Sequence, residues 1–220
     1  VKRLSWVEGP KVVSVGSSAS FTVPQGYLFL GAADTKRFME EVTQNPSSGQ
    51  EYFFGPADHS WWATFYYQPT GYVPDDEKID ASALIASMRT NQETDNQNRQ
   101  AKGWPTLNNM DWKYPPFYDA GTKRLDWAIS FVNSGTNSLN INYETRILGR
   151  EGVTSATLVV SPQQLDKAVG EFKSVVAGYE FVQGQRYSEF KQGDRVAEYG
   201  LAALVAGGTT AVLAKAGFFA

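Results

Sequence analysis

Three groups of residues carry functional groups at spacings that chemistry can use. Asp58-His59-Ser60 sets a carboxylate, the chain's sole imidazole and a hydroxyl side by side. These are the parts of an acid–base–nucleophile relay. Adjacent side chains diverge, however, and such relays are assembled in space from separate elements. The triplet therefore reads as a solvated loop. Asp75, Asp76, Glu77 and Asp80 offer the oxygen ligands that Ca²⁺ takes. Their spacing is not that of an EF-hand loop, and acidic residues ahead of a helix favour its positive N-terminal end. We expect no metal and no cofactor here. Asn140, Asn142, Glu144 and Arg146 recur at every second position. A strand sets such residues on one face, giving a hydrogen-bonding surface that could grip a peptide, a sugar or a partner subunit. The plain alternative is an ordinary solvated sheet face.

Other chemistry is thinly supported. Asp119, Asp126 and Glu144 are the carboxylates that a hydrolase would use as acid and base. Trp61-Trp62 and Trp104 with Trp112 form either an aromatic platform or core packing. There is no cysteine, which removes disulfides, thiolate metal sites and cysteine nucleophiles. No Gly-rich phosphate loop and no Gly-x-Ser-x-Gly elbow occurs. A net charge of −3 argues against a nucleic-acid partner, which calls for a basic face. No residue is assigned a catalytic role.

The elements that must position these groups follow from periodicity. Val12–Val15 and Ala19–Val23 flank Gly16-Ser17-Ser18 as a hairpin, and Tyr27–Leu30 is a third strand. Asp34 and Thr35 open a short helix that carries Phe38, Met39 and Val42. Trp61–Tyr67 is a strand buried on at least one face. A helix spans about Ala81 to Ala101, with Leu84, Ile85 and Met88 as its apolar face and a polar second half. Residues 107–160 read as an antiparallel meander. Within it Leu125, Trp127, Ile129 and Phe131 alternate with polar neighbours, as do Leu139, Ile141, Tyr143 and Ile147. Ser161-Pro162-Gln163-Gln164 predicts a capping box, followed by an apolar stripe of Leu165, Val169, Phe172 and Val176. Gly178 ends that helix and Tyr179–Val182 is a last strand. The class is α+β: an antiparallel sheet with packed helices. Its opening and closing segments resemble the Mog1/PsbP-like sandwich, whose members act mostly as binding or assembly modules.

The end of the chain has a different character. Tyr199–Ala214 carries no charge. As a helix it would rise about 24 Å, and about 33 Å on to Ala220, close to the ~30 Å of a bilayer's hydrocarbon core. Lys215 near the far end can snorkel to the interface. Gly suits lipid better than it suits a helix in water. Ala203, Gly207 and Ala211 lie four apart, the small-residue pattern that lets two membrane helices approach. The expected division is 1–183 as a soluble α+β domain, 184–195 as a linker and 196–220 as a transmembrane helix. The competing reading is a buried helix of the soluble core.

Several segments resemble the bacterial DUF2167 family. They are Phe21-x-Val23-Pro24-x-Gly26-Tyr27-x-Phe29-Leu30; Pro115-Pro116-x-Tyr118-Asp119 with Leu125-x-Trp127-Ala128; Asn142-Tyr143-x-Thr145-Arg146-Ile147-Leu148-Gly149-Arg150-x-Gly152-Val153; and Tyr199–Gly208. The resemblance implies an envelope location, an N-terminal signal and a C-terminal hydrophobic region. It also implies continuation past Ala220, and it carries no activity. The expected function is therefore a non-enzymatic, membrane-anchored module displayed in the periplasm beside the inner membrane. It would bind the lipid bilayer and other envelope proteins, or copies of itself. The alternatives are a carboxylate-using envelope hydrolase and a periplasmic ligand sensor.

Overall fold

The structure is a computed structural model that describes residues 4–42, 47–101, 103 and 105–206. Its centre is the long meander predicted from period-two alternation. Strands β7 (Leu107–Asp119), β8 (Arg124–Asn133), β9 (Ser138–Leu148) and β10 (Val153–Val160) run antiparallel in sequence. The sheet continues through β6 (Trp62–Gln68), β5 (Tyr52–Pro56), β4 (Tyr27–Leu30) and β1 (Val7–Glu8). Its order is β1-β4-β5-β6-β10-β9-β8-β7. A second antiparallel sheet joins β2 (Lys11–Val15), β3 (Ala19–Val23) and β11 (Tyr179–Phe181), with β3 in the middle. Pro115 and Pro116 fall in β7, an edge strand, where a missing N–H disrupts nothing.

Register decides what each face is for. On the back face Ala63, Phe65, Ala156, Leu158 and Tyr143 come into line across β6, β10 and β9. They form one core with Phe21 and Val23 of β3 and with Leu165, Phe172 and Val176 of helix α3 (Leu165–Val176). Phe54 stacks on Phe65 at 4.2 Å between ring centres. On the front face Leu125 and Trp127 of β8, Leu148 of β9 and Val153 of β10 lie under helix α2 (Ala81–Ala101) and the C-terminal segment. Asp80 caps α2, its Oδ1 accepting from the backbone N–H groups of Ser82 and Ala83 at 3.0 Å each. The predicted face of Leu84, Ile85 and Met88 is the buried one.

Several expectations are corrected. Pro162–Gln164 is a 3₁₀ turn ahead of α3, and Ser161 Oγ donates to the Gln164 side chain at 3.3 Å. The capping box is therefore absent: its two side chains bond each other, not the backbone. Helix α1 (Ala32–Arg37) starts two residues before Asp34, and Phe38–Val42 continues it as a π-helical turn. Leu139 is 47 % exposed, because it lies in β9 beyond the reach of the elements that cover Ile141. Strands β1 and β5 were not expected at all.

The largest correction concerns the C-terminal run. No helix among the described residues is long and apolar enough to cross a membrane. Residues Leu201–Val205 form a short helix, α4, whose members are 1–8 % exposed against Trp127, Leu125, Leu84 and Met88. Ala203, expected where two membrane helices approach, is 5 % exposed in this core. Gly207 and Ala211 lie outside the described residues. A side chain packed on the sheet cannot also sit in hydrocarbon, so the span expected over 196–220 is used by the fold itself as far as Val205. Residues 184–195, expected as a linker, are fastened down. Arg150 grips Asp194 through two bonds, at 2.7 and 2.6 Å. The Tyr72 N–H donates to Arg195 O at 2.8 Å, and the Ala197 N–H donates to Tyr72 O at 2.8 Å. The Ala202 N–H donates to the Glu77 carboxylate at 2.9 Å.

Two outcomes follow. Leu201→Ala should cost about 2–5 kcal/mol of stability in urea unfolding, as for other fully buried leucines; a segment lying free of the body would leave the midpoint unmoved. The Arg150 guanidinium holds the Asp194 carboxyl down at about 2. Its folded value is depressed, so its contribution is complete above about pH 4 and fades as pH falls towards about 2. Relative to an unfolded reference substrate, pepsin should cut the 184–195 segment increasingly over that window, and Asp194→Asn should weaken the pH dependence to the part that Glu189 carries through its bonds to the Gly184 and Arg186 N–H groups.

Candidate functional site

The alternation of β9 puts Asn140, Asn142, Glu144 and Arg146 on the front face, as predicted, and all four line one groove. Register supplies their neighbours. Glu144 lies opposite Thr157, which lies opposite Thr64. Arg146 lies opposite Ser155, which lies opposite Tyr66. Asn142 lies opposite Val159, which lies opposite Trp62. The floor is thus built from β6, β10 and β9, three strands in the interior of the sheet. The covered half of the front face forms one border, with Leu204 and Arg99 reaching the groove, and Met39 and Glu51 line it as well. Its volume is about 750 Å³. A second depression of about 690 Å³, lined in part by His59 and Leu139, shares Trp62, Asn140, Val159 and Val160 with it. The two depressions adjoin along those residues.

Glu144 and Arg146 are ion-paired at 2.7 Å, with side chains 14 % and 13 % exposed. Thr157 Oγ1 donates to the same carboxylate oxygen, Oε2, at 2.9 Å. Among the described residues Oε1 takes no hydrogen bond. The Arg146 guanidinium lies 4.7 Å from the centre of the Trp127 ring, a cation–π contact that fixes its plane. So the apolar face of β8 supports the polar face of β9. The sequence reading found the polar row of β9 but missed the contribution of β6. The signal was there: Thr64, Tyr66 and Gln68 alternate with Ala63 and Phe65 in the strand expected to be buried on at least one face.

The other candidates are dispersed. Asp58 accepts from the Ser60 N–H at 2.9 Å, while exposed His59 packs edge-on against Trp6. No relay forms. Asp75 accepts from Tyr118 Oη at 2.6 Å and from Lys123 Nζ at 2.8 Å, while Glu77 and Asp80 hold the starts of α4 and α2. No cluster of metal-ligating side chains occurs among the described residues. Asp119 closes its own turn with Thr122 and Gly121, and the hydrogen bond from Thr122 holds its carboxyl below the ordinary range. Asp126 lies on the back face, bonded to Thr145 at 2.6 Å and paired with Lys173 at 3.1 Å. It faces away from Glu144. Trp61 is buried and donates to Glu171 at 2.9 Å, and Trp112 donates to the Ala81 carbonyl at 2.9 Å. Trp104 lies outside the described residues. Trp62, stacked on Phe53, is the member of that set that reaches the groove.

Comparisons place this geometry in a family. None of the curated proteins matches the chain. Among solved structures, the solution structure of cyanobacterial PsbP (CyanoP) from Synechocystis sp. PCC 6803 matches with a TM-score of 0.39 at 11 % identity, over 82 % of this chain and 94 % of that one. The family described as "Protein of unknown function (DUF2167)" matches residues 7–220. The motifs that suggested it lie on β3 and β4, on β7 and β8, on β9 with its hairpin to β10, and in the buried C-terminal segment, and by that match the chain belongs to the DUF2167 family.

Proposed function

We propose that this chain is a non-enzymatic binding module of the bacterial envelope and that the front groove seats its partner. The observation that carries the reading is the convergence of Asn140, Asn142, Glu144 and Arg146 on one trough of about 750 Å³. Ligand sites are concave, with a few polar groups set among apolar ones, and the trough has that make-up. The carboxylates weigh against a hydrolase. Glu144 is tied to Arg146 and Thr157, and Asp126 sits on the other side of the sheet. Two acids flanking one bond are not brought together.

The envelope location rests on the family resemblance and on the uncharged residues 207–214 that follow Ala206, with Lys215 beyond them. Contact with the bilayer would fall to that later stretch, since Leu201–Val205 is committed to the core. Self-association through Ala203, Gly207 and Ala211 is not retained, because Ala203 is already covered.

Asn142→Trp fills the trough from a half-buried position outside both cores. In solubilised envelope extract it should weaken partner recovery at least tenfold, about 1.4 kcal/mol, with the melting temperature unchanged. Equal recovery by the variant would place binding elsewhere. In parallel, carbonate washing of membranes should leave the chain in the pellet; release into the wash would remove the anchored location without touching the binding role.

A further inference from the structure

The groove also has a chemical character that narrows its occupant. Four charged side chains line it, Glu51 and Glu144 against Arg99 and Arg146, so its formal charge is zero. A phosphate or polyanion needs a surplus of cations, and none is present. The floor strands are interior to the sheet, and their backbone groups are taken by their neighbours. A peptide held by strand addition requires an open edge, so main-chain recognition is closed off. What remains is side-chain hydrogen bonding. Asn140, Asn142 and Gln68 each offer a donor and an acceptor; Thr64 and Ser155 offer hydroxyls. Half-buried Trp62, Tyr66 and Phe131 add aromatic surface. Mixed donor–acceptor groups beside aromatic planes suit a ligand that is covered in hydroxyls on its edges and apolar on its ring faces. Along β6 from Trp62 to Gln68 the floor runs about 20 Å, longer than one sugar ring.

We infer that the trough binds a neutral oligosaccharide in an extended conformation. This rests on the reading of the groove as the binding site. Amides of β9 take the hydroxyls, the Glu144–Arg146 pair accepts at one end and donates at the other, and the aromatic side chains carry the ring faces.

The test is an array of immobilised neutral tetra- to hexasaccharides of glucose, mannose, galactose and N-acetylglucosamine, with uronate-containing chains as the charged arm, probed with the full chain. Binding of a neutral oligosaccharide is expected. It should fall at least tenfold in both Asn142→Trp and Trp62→Ala. The side-chain amide signals of Asn140 and Asn142 should shift when the same sugar is titrated in solution, a readout that does not depend on either variant folding. Preference for the uronate chains, or no glycan binding at all, overturns the inference. If glycans fail while Asn142→Trp still abolishes recovery of an envelope partner, the binding-module reading survives without the sugar. If neither responds, both fall.

Discussion

Half of the front face of the large sheet has to be covered, and the chain covers it with its own C-terminal segment. Leu125, Trp127, Leu148 and Val153 present a broad apolar surface. Helix α2 can shield only part of it, because its apolar face lasts two turns before the sequence turns polar at Thr90. Leu201, Leu204 and Val205 complete the cover, each at 3 % exposure or less. Burying a side chain of this kind contributes about 1.5–3 kcal/mol. The polar clasps around it set direction more than they set strength. Glu77 fixes the start of α4, and a Cβ at Gly200, 2.3 Å from the Glu77 carboxylate, would push that carboxylate off its place. The Tyr72–Val196 bridge fixes the approach.

The same cover makes the groove. Where α2 and α4 stop, the front face changes from apolar to polar, between Trp127 of β8 and Glu144 of β9 and, along β9, between Leu148 and Arg146. Trp127 stands at that border. Its ring is 2 % exposed, and Arg146 lies across it. An ion pair this shielded loses hydration, and such pairs often do little for stability. The Glu144–Arg146 pair is therefore better understood through its geometry. Trp127 and Thr157 hold it in one orientation, and among the described residues Glu144 Oε1 takes no hydrogen bond.

Periodicity within a strand was readable, and so were the elements it defines. The alternation of β9 gave both of its faces correctly, and the apolar face of α2 matched to the residue. What alternation cannot give is which face of one strand adjoins which face of the next. The apolar row of β8 and the polar row of β9 are each plain in sequence. Only the pairing of Leu125 with Arg146 puts them on the same side. The groove was therefore half visible: the row from β9 was found, while for β6 one buried face was expected and its polar row of Thr64, Tyr66 and Gln68 was not singled out. The start of the C-terminal segment, Leu201–Val205, was ambiguous for a related reason. An uncharged run of Ala, Leu and Val suits lipid and a protein interior equally well, and the deciding fact was an uncovered apolar patch elsewhere in the chain.

A groove of this kind sets limits on how it can work. Each side-chain hydrogen bond made on binding contributes about 0.5–1.5 kcal/mol net, since both partners give up water. At about 1 kcal/mol each, three to five of them supply only about 3–5 kcal/mol, which alone corresponds to roughly millimolar affinity. Aromatic contact adds to this, but the floor has no deep apolar pocket and no surplus charge to steer a ligand. Useful affinity must come from length, with contacts repeated along the trough, or from many copies meeting a repetitive ligand. A polymer satisfies both requirements and a small solute satisfies neither. That favours an extended, repeating partner over a sensed metabolite, and it makes display of the domain at high local density the natural setting for its function.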